Sequence, residues 1–124
     1  MSRVRTALVV GGGIAGPAAA LALQKAGIEP TVYEAYPTAA DGIGGVLAIA
    51  PNGMQALHVL GLDQEVLRIG QPMRSTIIAN GRGKQLMAFA GLAGLPPSQV
   101  VWRAELCRVL HDATVAGGIR TELG

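Results

Sequence analysis

The chain has 124 residues, of which 50% are hydrophobic and 15% charged, with a formal net charge of +2. That length suits one domain with a real core, and that composition excludes a disordered chain. The Lys and Arg residues are scattered, and no basic run interleaves with aromatics, so no nucleic-acid partner is expected.

Residues 6–10, TALVV, read as a buried strand, being short, apolar and rich in β-branched residues. Residues 14–26 are rich in Ala and Leu. They predict a helix ending at Lys25-Ala26-Gly27, with Gly27 as its C-terminal glycine. Residues 31–34, TVYE, predict a second strand and complete a βαβ unit. The same stretch has a rival reading. Arg3 and Arg5 precede 19 uncharged residues, 6–24, which is the outline of a secretory signal or a membrane span. Gly11, Gly12, Gly13, Gly16 and Pro17 fall in its middle. Each glycine costs about 1 kcal/mol against alanine inside a helix, so no membrane association is expected.

Residues 35–45 predict a loop with Pro37, Asp41, Gly42, Gly44 and Gly45. VLAIA at 46–50 predicts a short strand. Pro51-Asn52-Gly53 opens a helix carrying Met54, Leu57 and Leu60 that closes at Gly61, and a second short helix covers 63–69. RSTIIAN at 74–80 and KQLMAFA at 84–90 flank Gly81-Arg82-Gly83 and predict a hairpin. Residues 91–98 read as loop and VVW at 100–102 as a strand. A helix over 103–116 carries Leu106, Leu110 and Ala113 on one face. Gly117-Gly118 stops it, and IRTEL at 119–123 begins another strand. The chain closes directly after that strand, which reads as an interruption. The strand edge left there is expected to be open to pairing. The single cysteine, Cys107, lies within an apolar helical pattern and reads as a buried small hydrophobe. One cysteine makes no internal disulfide and suits a reducing cytoplasm. With His58 and His111 well apart, no metal-ligand spacing is present, and His58 reads as structural or exposed.

Gly11-Gly12-Gly13-Ile14-Ala15-Gly16 fits G-x-G-x-x-G between a strand and a helix, and Glu34 ends the next strand 23 positions after Gly11. Gly11 lets the chain turn tightly out of the strand. Gly13, without a Cβ, lets backbone approach a pyrophosphate. Gly16 lets the helix pack near the strand. The helix N-terminus offers N–H groups to phosphates, and Glu34 can accept from a ribose hydroxyl pair while disfavouring a 2′-phosphate. The plain alternative is a ligand-free turn with a solvated Glu34. The loop alone does not choose between NAD and FAD.

LVVGGGIAGPAAALALQKAGIEPTVYEA, GGVLAIAPNGMQALHVLGL and VVWRAELCRVL, in that order, resemble the flavoprotein monooxygenases that hydroxylate aromatic compounds, the family of p-hydroxybenzoate and salicylate hydroxylases. The resemblance covers nearly all of this chain but only the N-terminal part of such an enzyme. It implies an α/β fold: a Rossmann-like FAD-binding domain, βαβ with a glycine-rich loop, incomplete, plus a β-hairpin. Residues 1–124 would form its N-terminal portion, without the substrate domain. It implies FAD as cofactor, NADH or NADPH as electron donor, and an aromatic or other small organic substrate. Gly11, Gly13 and Gly16, with Ile14 and Ala15 between them, would hold the FAD pyrophosphate. Glu34, followed by Ala35, would bind the adenosine ribose. Gly45 and Val46 would run beside the flavin end, and Arg103 would reach the ribityl–pyrophosphate region.

Some residues depart from the family pattern. Pro17 replaces a bulky aliphatic residue, and Ala35 stands where many relatives carry a basic one. The later Asp-Gly and Gly-Asp motifs do not appear, and Asp41-Gly42 is the same dipeptide in the wrong place. No side chain is expected to act as catalytic acid, base or nucleophile, so the chain alone is expected to be inactive. Two further readings stay open: a non-catalytic, truncated or remnant dinucleotide-binding module, and another FAD-dependent oxidoreductase.

Overall fold

The computed structural model describes residues 4–37, 44–91 and 93–124. In chain order the elements are β1 (Thr6–Val10), α1 (Ala15–Lys25), β2 (Glu29–Glu34), β3 (Val46–Ile49), α2 (Pro51–Leu60) and α3 (Asp63–Ile69). Then come β4 (Gln71–Met73), β5 (Ser75–Ala79), β6 (Gln85–Ala90), β7 (Ser98–Trp102), α4 (Arg103–Ala116) and β8 (Arg120–Leu123).

The β-branched run of β1 pairs in parallel with β2, and β2 pairs in parallel with β8, placing β2 in the centre. Val9, Val32 and Thr121 line up across the three strands. Their face turns toward α1, which packs in turn on α4. The opposite face carries Leu8, Val10 and Tyr33, all exposed. A parallel sheet is normally covered on both faces. This one is covered on one, among the described residues.

A second sheet, antiparallel, has β7 between β3 and β4. Its Ile49 and Val101 join Val32, Leu57, Val66, Leu106, Leu110 and Ile119 in one buried cluster. Burying each such side chain contributes about 1.5–3 kcal/mol. Cys107 is buried there too, as its helical pattern predicts. His58 is exposed and bonds Asp63 at 3.1 Å (Nδ1 to Oδ2) at the corner between α2 and α3. This bond, with one from Gln64, holds the Asp63 carboxyl below the usual carboxylate range.

The β5–β6 hairpin turns through residues 81–83. Asn80 donates its N–H to the Lys84 carbonyl, and its Oδ1 accepts from the Arg82 and Lys84 N–H groups. Every residue of β6 is exposed.

Three differences from the sequence reading exceed a single residue, each for a reason involving proline or pairing. β2 begins at Glu29 instead of 31. Glu29 donates to the Arg5 carbonyl, so by alternation the absent N–H of Pro30 faces the β8 side, where pairing starts only at Thr31. The sequence reading assigns nothing to 70–73, where β4 forms with Pro72 in its middle. β4 survives as the edge strand of its sheet, where a missing donor is tolerated. Pairing with β4 also draws Ser98, read as the end of a loop, and Gln99, left unassigned, into β7. No helix among the described residues is long and apolar enough to cross a membrane.

Candidate functional site

At the end of β1, Gly11 has φ +105°, a region that side chains rarely enter, and donates its N–H to the Tyr33 carbonyl at 2.7 Å. The chain therefore turns back at once. A Cβ on Gly16 would collide with the carbonyl of Gly11 and would stand 3.4 Å from Val9 Cγ1. Gly16 thus seats the first turn of α1 against the strand end, the role its spacing predicts. No side chain caps α1 at Ile14, and Ala15 opens the helix. The first N–H groups of a helix lack intrahelical partners, so this end is suited to an anion. Pro17 is buried in the first turn, where its lack of an N–H breaks no helical bond.

Glu34 ends β2 with its carboxylate against the loop. Its Oε2 accepts from the Gly12 N–H at 2.5 Å and its Oε1 from the Tyr36 N–H at 3.0 Å. A Cβ on Gly12 would stand 2.9 Å from Glu34 Cβ. Gly12 is therefore required by Glu34, although it occupies an unspecified position of the motif. The Tyr36 N–H, then that of Gly12, with a smaller part from Ala35, hold the Glu34 carboxyl below the usual carboxylate range. A carboxylate has about four lone-pair sites, so acceptor capacity is left for a hydroxyl pair. Ala35 itself is exposed and offers no charged contact.

Glu34→Gln is expected to loosen the loop, because a carboxamide keeps one acceptor oxygen and turns its NH2 toward the second backbone N–H. A depressed folded pKa gives stability that is present above the unfolded value and lost as pH falls through the folded one. The variant should therefore melt below the parent near neutral pH, and the gap should close as pH falls below the ordinary carboxylate range and the parent carboxylate protonates. A gap independent of pH would show that the carboxylate does not hold the loop.

Arg103 comes from the other sheet. β7 runs into α4 through Trp102, and the Arg103 N–H donates to the Gly45 carbonyl at 2.9 Å. The side chain lies along Gly44, which has φ +109° and where a Cβ would stand 2.9 Å from Arg103 Cδ. Its Nη2 lies 3.7 Å from the place a Gly13 Cβ would take. Val46 pairs across the strands with Trp102, and both are exposed. Of the predicted residues, Gly11, Gly13, Ile14, Ala15, Gly16 and Glu34 with Ala35 lie around the N-terminus of α1, Arg103 reaches it beside Gly13, and Gly45 and Val46 adjoin Arg103 and Trp102. Gly12 and Gly44 join them without having been singled out. Asp41-Gly42 lies outside the described residues. The site combines backbone N–H groups, one guanidinium and one carboxylate. That set can hold an anionic group flanked by hydroxyls.

The profile of the FAD binding domain family matches residues 4–123. The chain belongs to that family. Aurachin C monooxygenase/isomerase of Stigmatella aurantiaca is 33% identical over 111 residues, covering 86% of this chain and 29% of that protein. The tetrameric form of 2-methyl-3-hydroxypyridine-5-carboxylic acid oxygenase matches with a TM-score of 0.85 at 25% identity, over 98% of this chain and 32% of that one. HpxO of Klebsiella pneumoniae, solved with FAD and uric acid, matches with a TM-score of 0.74 at 27% identity, over 94% of this chain and 30% of its own. The chain spans about a third of these relatives' length and 10% of others. The observed fold is the α/β, Rossmann-like FAD-binding fold that the resemblance implies, and FAD is the cofactor of the family.

Proposed function

We propose that this chain is the FAD-binding portion of a flavin monooxygenase that takes electrons from NADH or NADPH and hydroxylates an aromatic or other small organic substrate. The convergence of Gly13, Glu34, Gly44 and Arg103 at one helix end carries the reading. A pyrophosphate fits beside Gly13, in reach of the α1 N-terminus and the Arg103 guanidinium, and the ribose fits against Glu34. Gly11 and Gly16 keep the loop tight, and Ile14 and Ala15 present their backbone to the phosphates. Gly45 and Val46 lie along the flavin side. Bound FAD supplies the redox and oxygen chemistry, while these residues bind and orient it. The residues that face the substrate belong, in this reading, to polypeptide beyond this chain. Among the described residues, the open sheet face at Leu8, Val10 and Tyr33 and the free edges of β1 and β8 are surfaces for it to pack against. The buried single thiol of Cys107 suits a cytoplasmic setting.

Titration of the purified chain with FAD and, separately, NAD tests this. FAD is expected to bind at least about tenfold more tightly, since Arg103 and Gly45–Val46 add contacts beyond the adenosine half, worth about 1.4 kcal/mol or more. Equal or tighter binding of NAD would overturn the flavin assignment. A chain that melts cooperatively and binds neither would mean that the cradle needs the polypeptide beyond this chain or that the glycine loop is only a turn, and repeating the titration with downstream sequence restored separates the two.

A further inference from the structure

β8 places a hydroxyl beside the site that no contact described so far uses. Thr121 pairs with Val32 and shares its face, turned toward α1 and α4. Its Oγ1 is buried and has no hydrogen-bond partner among the described residues. A buried hydroxyl left unpaired costs about 1–3 kcal/mol, so such groups normally have a partner, often an ordered water. Thr121 lines a cavity with about 10 Å³ of water-accessible space, walled also by Gly12, Glu34, His111 and Thr114. That is close to the room one water needs. Thr114, the other hydroxyl on the wall, already donates to the His111 carbonyl at 2.7 Å. Thr121 Oγ1 is uncommitted, and the Glu34 carboxylate, which accepts from Gly12 and Tyr36, keeps lone pairs to spare. Two such groups meet the lower end of the two to four partners that a buried water takes.

The ladder sets the geometry. Val32 pairs with Thr121 and Glu34 with Leu123, so Thr121 and Glu34 are diagonal neighbours on adjacent strands. A strand spacing of about 4.8 Å and a rise of about 3.3 Å per residue put their Cα atoms about 8 Å apart. No direct bond joins the two side chains, and the cavity touches both.

We propose that one buried water occupies this cavity and links Thr121 Oγ1 to the Glu34 carboxylate, which makes Thr121 a positioning residue for the ribose-binding acid. The Thr121 hydroxyl donates to the water, and the water donates to the carboxylate. Glu34 is then held from three sides, by Gly12, Tyr36 and the water, and its remaining lone pairs face outward. The proposal rests on Glu34 as the ribose acceptor.

Thr121→Val keeps the shape and removes the hydroxyl, whereas Thr121→Ser keeps the hydroxyl. Carbon-13 NMR of the Glu34 carboxyl through an acid titration reads the link in the whole chain without any ligand, and ADP titration reads its effect on binding. Among the described residues, the charged or titratable groups on the elements around Glu34 include Tyr36 beside it, His111 on the cavity wall, Arg120 and Glu122 on β8, and Arg103 beside Gly13, and all are the same in every variant. In Thr121→Val the Glu34 midpoint should rise, because the carboxylate loses a donor, and ADP should bind about 3–10-fold more weakly. Thr121→Ser should restore both. If Thr121→Val leaves the midpoint or the ADP affinity unchanged while Glu34→Gln weakens ADP, the positioning role is overturned and the ribose assignment stands. If neither Thr121→Val nor Glu34→Gln changes ADP affinity, the ribose assignment itself fails, and the positioning role with it.

Discussion

Gly16→Ala is expected to destabilise the chain by about 3 kcal/mol or more and to abolish FAD binding. The added methyl would be driven into the Gly11 carbonyl, with Val9 close behind it. The obstacle is backbone, so no side-chain rotation relieves it. Gly11 is itself pinned by its N–H bond to Tyr33, and its φ of +105° leaves little room for adjustment. Relief therefore requires α1 to lift from β1, which uncovers Ala20 and Leu21 and opens the cluster around Val32. Set against a typical total of 5–15 kcal/mol, such a loss lowers the melting midpoint by more than about 10 °C. Gly45→Ala is the matched control, because its methyl meets open space. It should leave stability unchanged within about 0.5 kcal/mol. Thermal melting of the two variants side by side, followed by FAD titration, separates a packing requirement from a general cost of alanine in this region. A Gly16→Ala protein that melts with the parent would mean that α1 can shift without loss, and the close approach would not matter.

The contrast between these glycines bears on what a sequence can disclose. β1, the glycine loop, α1 and β2 were legible because each is signalled locally: a β-branched run, a glycine spacing, an Ala-Leu stretch and an acidic strand end. The roles of Gly12 and Gly44 were not. Gly12 is needed because the Glu34 side chain folds over it, and Gly44 because Arg103 lies along it. Both requirements arise between residues distant in the chain, and neither leaves a local mark. β4 was hidden for a related reason, since Pro72 argues against a strand unless the strand is an edge, and edge position is a property of the sheet. Thr121 is similar. Its position in a short strand was legible, whereas its unpartnered hydroxyl depends on how β2, β8 and α4 meet.

Arg103→Met should weaken FAD about 10–100-fold and ADP by less. A charge-assisted hydrogen bond contributes about 1.5–3 kcal/mol, and each 1.4 kcal/mol is tenfold. Methionine keeps an unbranched stem to lie along Gly44, and the Arg103 N–H bond to the Gly45 carbonyl belongs to the backbone, so the α4 start should persist. The change then removes mainly the guanidinium beside Gly13. A cation in the first turn of a helix opposes the helix dipole. If the guanidinium serves only the fold, replacing it should shift the melting midpoint while FAD affinity stayed constant. The two measurements move in different directions under the two explanations. Weaker FAD with an unchanged melting midpoint assigns Arg103 to the phosphate and ribityl side. Equal loss of FAD and ADP, with the fold intact, would move it to the adenosine side. Arg103→Lys sharpens the distinction, since lysine keeps the charge and loses the planar fork. It should recover part of the FAD affinity if charge dominates and almost none if bidentate geometry does.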